Sequence, residues 1–297
     1  MNIPNTRNHF GFIGFGLIGG SIAHCIRNIW PDADIMAYNY YETKKHPRLE
    51  QALSDGVLSR ISTSLCDFSQ CDVIFLCAPV LTNIDYLTKI QPYLKKDCIL
   101  TDVGSVKGDI HQAVKNLQLE HCFIGGHPMT GSEKIGYANS NAAFLQGCYY
   151  ILTPTAQVSE DAVTWMQDFV TATGAHCVTI DVTEHDQATA GISHAPHIIS
   201  AALVNAVAAR DKKGIYELLA AGGFKDITRI SSSSPEMWEN ICLSNKDCIL
   251  EFLEEYMDIL NRAKESIQNE NREAIHDFFA TAKDYRDKLL QKENLRD

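Results

Sequence analysis

The sequence predicts an α/β protein with a doubly wound domain over residues 1–181 and an all-helical domain over residues 182–297. Three observations carry this expectation. From residue 10 to about 181, short apolar, β-branched runs alternate with longer amphipathic segments. Where the first run passes into the first helical pattern stands a glycine turn, G-x-G-x-x-G at Gly14, Gly16 and Gly19. After Asp181 the strand signals stop, and the rest of the chain reads almost entirely as helix.

Taken in order, the predicted strands are FGFIG (10–14), DIMAYN (34–39), DVIFLCA (72–78), CILTDV (98–103), CFIGG (122–126), CYYILTP (148–154) and HCVTID (176–181). Helical patterns lie between several of them, at 17–29, 80–93, 106–117 and 160–173. Strands separated by helices pair in parallel through crossovers, so the sheet is expected to be mostly parallel and covered on both faces. In the second domain, Ile249, Leu253, Tyr256, Leu260, Ala263 and Ile267 fall on one helical stripe. Ile275, Phe278, Ala282, Tyr285 and Leu289 form a second. Such stripes either build a helical core within the chain or bury part of their surface against a second subunit, giving a homodimer through the helical domain. No internal repeat, low-complexity tract or Pro/Gly linker interrupts the chain.

Composition narrows the function. With 297 residues, 45% hydrophobic and 21% charged, the chain can fill two moderate cores. A net charge of −11 and a pI near 5.4 argue against nucleic acid or anionic lipid and for a small-molecule partner. The N-terminus lacks a basic-then-apolar signal, and no window approaches ~18 uninterrupted apolar residues, so a cytoplasmic protein is expected. Its ten cysteines include no C-x-x-C pair, and several sit inside apolar runs as small hydrophobes, reduced and structural.

The glycine turn points to a dinucleotide. Gly14 permits the tight turn, Gly16 lets a pyrophosphate approach the backbone, and Gly19 allows the helix to pack close to its strand. Leu17 and Ile18 open the helix whose N–H groups face the phosphates. Ala78 and Pro79, at the end of the third predicted strand, complete the expected cofactor set. The second strand departs from the NAD pattern, because Asn39 stands where an acidic residue usually bonds the ribose hydroxyls. A neutral amide does not repel a 2′-phosphate, and Lys44, Lys45 and His46 follow. NAD is expected and NADP stays open, since no arginine follows directly on that strand end.

Three further stretches carry chemistry. DVGSVKGD (102–109) places Ser105 in the crevice at the carboxyl edge of the sheet, and GGHPMTGSEKIG (125–136) places His127 on a loop at the same edge. A histidine there can take a proton near neutral pH, with a serine hydroxyl to fix its tautomer, or it can be a solvated loop residue. ISHAPHIIS (192–200) brings His194 and His197 three apart, but no carboxylate or cysteine completes a ligand set and the intervening proline fits a helix start, so no metal is expected. GGFKDITRISSSSPEMW (222–238) offers Arg229, suited to gripping a carboxylate or else a surface arginine, and Trp238.

The ordered set GFGLIGGSIA, DVGSVKG, GGHPMTGSE, SHAPH and GGFKDITRI…MW resembles the prephenate dehydrogenase family, which includes arogenate dehydrogenases, over about residues 10–290. The resemblance implies a Rossmann-type domain followed by a helical dimerisation domain. It implies that His127 accepts the hydrogen bond of the ring C4 hydroxyl as hydride leaves for the nicotinamide, with Ser105 assisting. It further implies that His197 and Arg229 hold the substrate, the latter through the side-chain carboxylate, and that Ser132, Glu133, Asp226 and Trp238 line or gate the pocket. The implied reaction is oxidative decarboxylation of prephenate to 4-hydroxyphenylpyruvate in tyrosine biosynthesis, without a metal. The alternatives are arogenate as substrate, another hydroxy-acid dehydrogenase, for which no lysine-base motif is found, and a non-catalytic dinucleotide-binding regulator. No further regulatory or mutase module is expected after residue 297.

Overall fold

The computed structural model describes residues 6–41, 44–131 and 134–294. The chain begins with β1 (His9–Ile13), α1 (Leu17–Ile29), β2 (Asp34–Tyr38), α2 (Pro47–Ser54), β3 (Arg60–Ser62), β4 (Val73–Leu76) and α3 (Val80–Ile90). It continues through β5 (Ile99–Asp102), α4 (Gly108–Asn116), β6 (Phe123–Pro128), β7 (Tyr149–Pro154), α5 (Glu160–Ala172) and β8 (His176–Thr179). These strands form one sheet in the order β3-β2-β1-β4-β5-β6-β7-β8. Only the β6–β7 pairing is antiparallel.

The central strands are buried along their whole length because helices cover both faces. Alternation along β1 sends Phe10 and Phe12 into one core with Ile26, Trp165 and Phe169, while Ile13 faces a second core with Leu76, Leu87 and Phe123. Trp30, Trp165 and Phe169 stack with ring centroids 5.7–6.0 Å apart, closing the first core beneath α1 and α5. The sequence did not signal β3 or α2. The first is a three-residue edge strand containing an arginine; the second buries only Leu49 and Ala52.

Asp181 caps the following helix, its Oδ1 accepting from Thr183 N at 2.7 Å. α6 (Val182–Thr189) runs through a π turn, Ala190–His194, into α7 (Ala195–Arg210). The widened turn accommodates Pro196, which has no N–H to donate and whose ring would clash with the carbonyl four residues back. The chain then forms α8 (Ile215–Leu219), α9 (Gly222–Thr228), a 3₁₀ turn (Arg229–Ser232), α10 (Pro235–Ser244), α11 (Lys246–Gln268) and α12 (Arg272–Asn294). Residues through Lys246 make one compact unit, and those from Asp247 a second.

The continuous helix Val182–Arg210 is long and apolar enough to cross a bilayer, with a mean hydropathy of 1.3, yet only 17% of that window is buried. Its first turns are anchored to the sheet, where Asp186 accepts from the backbone N–H groups of Lys107 and Gly108. Further along, large apolar side chains stand in the open, among them Ile192 at 70% and Leu218 at 82% exposed. Of the two predicted stripes on α11 and α12, Ile249 is buried, Leu253, Tyr256, Ala263 and Ile275 are half-buried, and Leu260, Ile267, Phe278, Ala282, Tyr285 and Leu289 are exposed.

Candidate active site

The dinucleotide cradle is built at the β1–α1 turn. Gly14 has φ +85°, and a Cβ there would lie 2.5 Å from Ala78 N, so the backbone itself demands glycine. At Gly16 a Cβ would meet no atom within 4 Å; the space is open where a pyrophosphate would approach. A groove of about 380 Å³ runs past this turn, lined by Gly14, Gly16, Ala78, Pro79, Tyr38 and Arg48 among others. Leu17 and Ile18 stand half-buried in the first turn of α1, and Gly19 is buried behind them. Fully buried Asn83, which sequence reading did not single out, shapes the opposite lip: its Oδ1 accepts from Ala78 N and its Nδ2 donates to Leu76 O, both at 3.1 Å. An open cradle with free helix N–H groups and no side chain in the way fits a dinucleotide.

Asn39 is buried, and its amide is occupied locally. Nδ2 donates to Lys44 O at 3.0 Å and Oδ1 accepts from Tyr41 N at 2.9 Å, so the side chain closes the loop after β2. The polar groups lining the groove beyond that strand are instead Tyr40, His46 and Arg48.

His127 lies inside β6 rather than on a loop, because the ladder with antiparallel β7 extends past the parallel edge and pairs His127 with Ile151. The ring is buried. Its Nδ1 stands 2.8 Å from His185 Nε2, and His185 Nδ1 stands 2.7 Å from Asp186 Oδ1. Burial, reinforced by His185, Lys107 and His194, holds the His127 imidazole well below the ordinary histidine range, so it is neutral near pH 7. Burial alone would raise the Asp186 carboxyl, but hydrogen bonds from His185 and from the Lys107 and Gly108 backbone outweigh it and leave the group below its usual value. Ser105 is half-buried on the loop after β5. The partner that the structure gives His127 Nδ1 is thus His185, not the expected serine.

Beside this pair, the strand ends are braced by a buried ion pair. Lys107 Nζ bonds Asp102 Oδ2 and donates to Gly126 O at 2.9 Å, while Asp102 Oδ1 accepts from Gly126 N at 3.2 Å. Burial lowers the Lys107 ammonium, with Asp102 pulling the other way. The residue before His127 is therefore clamped through both its backbone groups. An aspartate closing an apolar strand run, with a lysine five residues on, was the signal in the sequence.

The helical elements form a second, largely apolar cavity of about 240 Å³, lined by His197, Trp238, Ile230, Ser231, Pro235 and Cys242 among others. His197 and Trp238 stack with centroids 3.9 Å apart, and His197 Nδ1 donates to Ser193 O at 2.8 Å, which leaves Nε2 as its remaining polar atom. Neighbouring His194 is pushed down to about 4, chiefly by burial, and its Nδ1 accepts from Asn245 Nδ2 at 3.0 Å. That amide also donates to Asp186 O at 2.8 Å, so hydrogen bonds and ring contacts join His127 to Trp238 across four elements. Arg229 and Asp226 are exposed at the end of α9, and neither lines this cavity. Ser132 and Glu133 lie outside the described residues.

Comparison with known proteins bears on this arrangement. Residues 22–179 match the family model described as prephenate dehydrogenase, nucleotide-binding domain, and residues 181–281 match the one described as prephenate dehydrogenase, dimerization domain. A prephenate dehydrogenase of Bacillus subtilis is 35% identical over 281 residues, covering 93% of this chain and 74% of the relative. A crystal structure of prephenate dehydrogenase from A. aeolicus, in complex with hydroxyphenyl propionate and NAD+, superposes with a TM-score of 0.87 at 30% identity, over 96% of this chain and 99% of that one. The Synechocystis arogenate dehydrogenase structure follows at 0.84 and 28%, over 95% and 99%. A glycine cradle, a buried histidine at the sheet edge and two consecutive domain matches along one chain lead to one assignment: the chain belongs to the prephenate dehydrogenase family.

Proposed function

We propose that this protein oxidatively decarboxylates prephenate to 4-hydroxyphenylpyruvate in tyrosine biosynthesis, with NAD as the hydride acceptor. The observation that carries the reading is His127, neutral, buried and bonded through Nδ1, so that Nε2 is the nitrogen left for a substrate. Gly14, Gly16 and the first turn of α1 would hold the dinucleotide, which would supply the hydride acceptor for ring C4. His127 Nε2 takes the C4 hydroxyl proton as the carbonyl forms and returns it to the phenolate oxygen once the C1 carboxylate has left as carbon dioxide and the ring has become aromatic; no protein group need push the carboxylate. Ser105 assists at the hydroxyl. Arg229 grips the side-chain carboxylate by two parallel hydrogen bonds, and His197, stacked on Trp238, offers Nε2 to the same substrate. The family resemblance further assigns Ser132, Glu133 and Asp226 to lining or gating the substrate site.

The working division is a dinucleotide-binding domain to residue 181 and a helical substrate and dimerisation domain after it. The uncovered apolar side chains of that domain, together with its match to a family model described as a dimerization domain, support a homodimer through it. We place the protein in the cytoplasm, with no nucleic acid or membrane partner. The test is reduction of NAD and NADP, followed at 340 nm, with prephenate and with arogenate. Turnover of prephenate with NAD supports the reading; turnover of arogenate alone moves the substrate, and no turnover with either removes the activity. NADP belongs in the assay because His46 and Arg48 line the groove where the adenosine ribose is expected.

A further inference from the structure

Behind His127 lies a pair of residues that neither the motifs nor the proposed chemistry employs. His185 and Asp186 are consecutive on α6 and buried, and they approach the strand-borne histidine from the helical side. The Asp186 carboxylate is held by three donors: Oδ1 takes the Lys107 backbone N–H at 2.9 Å and His185 Nδ1, and Oδ2 takes the Gly108 N–H at 2.8 Å. A carboxylate so fixed only accepts, so His185 carries its proton on Nδ1. In neutral His185 the other nitrogen, Nε2, is then a bare acceptor. It stands 2.8 Å from His127 Nδ1, which must supply the hydrogen. His127 is thereby fixed as the Nδ1–H tautomer, with its lone pair on Nε2.

We propose that His185 and Asp186 are positioning residues for His127, setting it as an acceptor at Nε2 and sharing the single proton that switches it off. The inference rests on the proposed role of His127 as the proton acceptor. When one proton enters the pair, His185 becomes doubly protonated, bonded to Asp186 on one side and donating Nε2–H to His127 Nδ1 on the other. His127 then holds its own proton on Nε2 and can no longer accept. The groups acting on His127 are His185 from α6, Lys107 from the turn before α4 and His194 from the π turn. Asp186 is the carboxylate beside His185, and His111 of α4 feels the charge of both. Because the Asp186 carboxylate, kept ionised by its donors, favours a positive charge on the hydrogen-bonded His127–His185 pair, the acid limb of kcat should move to lower pH when that carboxylate is removed.

The test combines a spectroscopic readout with kinetics. In protein labelled with 15N-histidine, the ring nitrogens of His127, assigned by loss of its signals in His127→Asn, should report the Nδ1–H tautomer at pH 8 without any substrate. His185→Leu should abolish that preference and lower kcat about 10- to 100-fold with little change in KM. His185→Gln, whose amide oxygen can still accept from Nδ1–H, should restore the tautomer and part of kcat. Asp186→Asn should shift the acid limb down by half a pH unit or more, on the order expected for loss of one buried neighbouring charge. An Nε2–H tautomer in the wild type overturns the proposal, and so does a His185→Leu enzyme with wild-type kcat and pH profile. The tautomer is read in the absence of substrate, so failure of the dehydrogenase assay and failure of this assignment are separate results.

Discussion

Replacing Gly16 by alanine separates binding from folding, because the structure gives the added methyl no protein neighbour within 4 Å. Gly16 has φ −96°, so the added methyl meets neither a protein atom nor the left-handed backbone penalty of Gly14. Folding should be disturbed far less than in Gly14→Ala. The same methyl stands where the pyrophosphate must reach the first N–H groups of α1, and pushing the phosphate off forfeits at least one charge-assisted hydrogen bond, about 1.5 to 3 kcal/mol. That corresponds to a Kd for NADH raised about 10- to 100-fold. Gly14→Ala should behave in the opposite way: its Cβ would lie 2.5 Å from Ala78 N and 2.6 Å from the Cys77 carbonyl carbon, at φ +85°. It should lose about 3 kcal/mol of stability before any cofactor is added. Thermal melts without cofactor and fluorescence titration with NADH measure the two effects. A Gly16→Ala protein that binds NADH within twofold of wild type would refute the placement of the pyrophosphate at this turn.

Three other outcomes are expected. His127→Asn should lower kcat by a factor on the order of 10² to 10⁴ while NADH affinity is kept; a kcat within threefold of wild type would end its assignment as proton acceptor. Arg229→Ala should raise KM for prephenate about 10- to 100-fold with a smaller change in kcat, and lysine should rescue only in part; an analogue lacking the side-chain carboxylate should bind wild type and variant alike, and a further loss with that analogue would assign Arg229 to the fold instead. The third outcome concerns acid. His111 and His194 are pushed down to about 4, chiefly by burial, so below the ordinary histidine value of about 6.5 the unfolded chain binds protons that the folded chain refuses. Their contribution is intact above that value and is lost as pH falls from it toward 4, with about 1 kcal/mol each gone by pH 5.5. Urea midpoints at pH 7.5 and 5.5 should differ accordingly; equal midpoints would contradict the burial of these rings.

The sequence by itself determined the α/β class, the order of seven strands and the glycine cradle, because each rests on signals within a few residues: the period of apolar side chains, and a turn that only glycine can make at Gly14. The five ordered motifs likewise carried the family. What local signals could not contain were pairings across the chain. The ladder of β6 with antiparallel β7 draws His127 off its predicted loop into a strand, and it does so through residues more than twenty positions away. Asn39 has the position of a ribose ligand in the sequence, and the structure adds that its amide also bonds the backbone of Tyr41 and Lys44. The histidine–aspartate pair at 185 and 186 reads as an ordinary stretch of polar helix until α6 packs against the sheet and delivers it to a ring 58 positions earlier. Tertiary structure alone decided which nitrogen of His127 is free, since a proton's location depends on the partner across the gap, and that partner is chosen by packing.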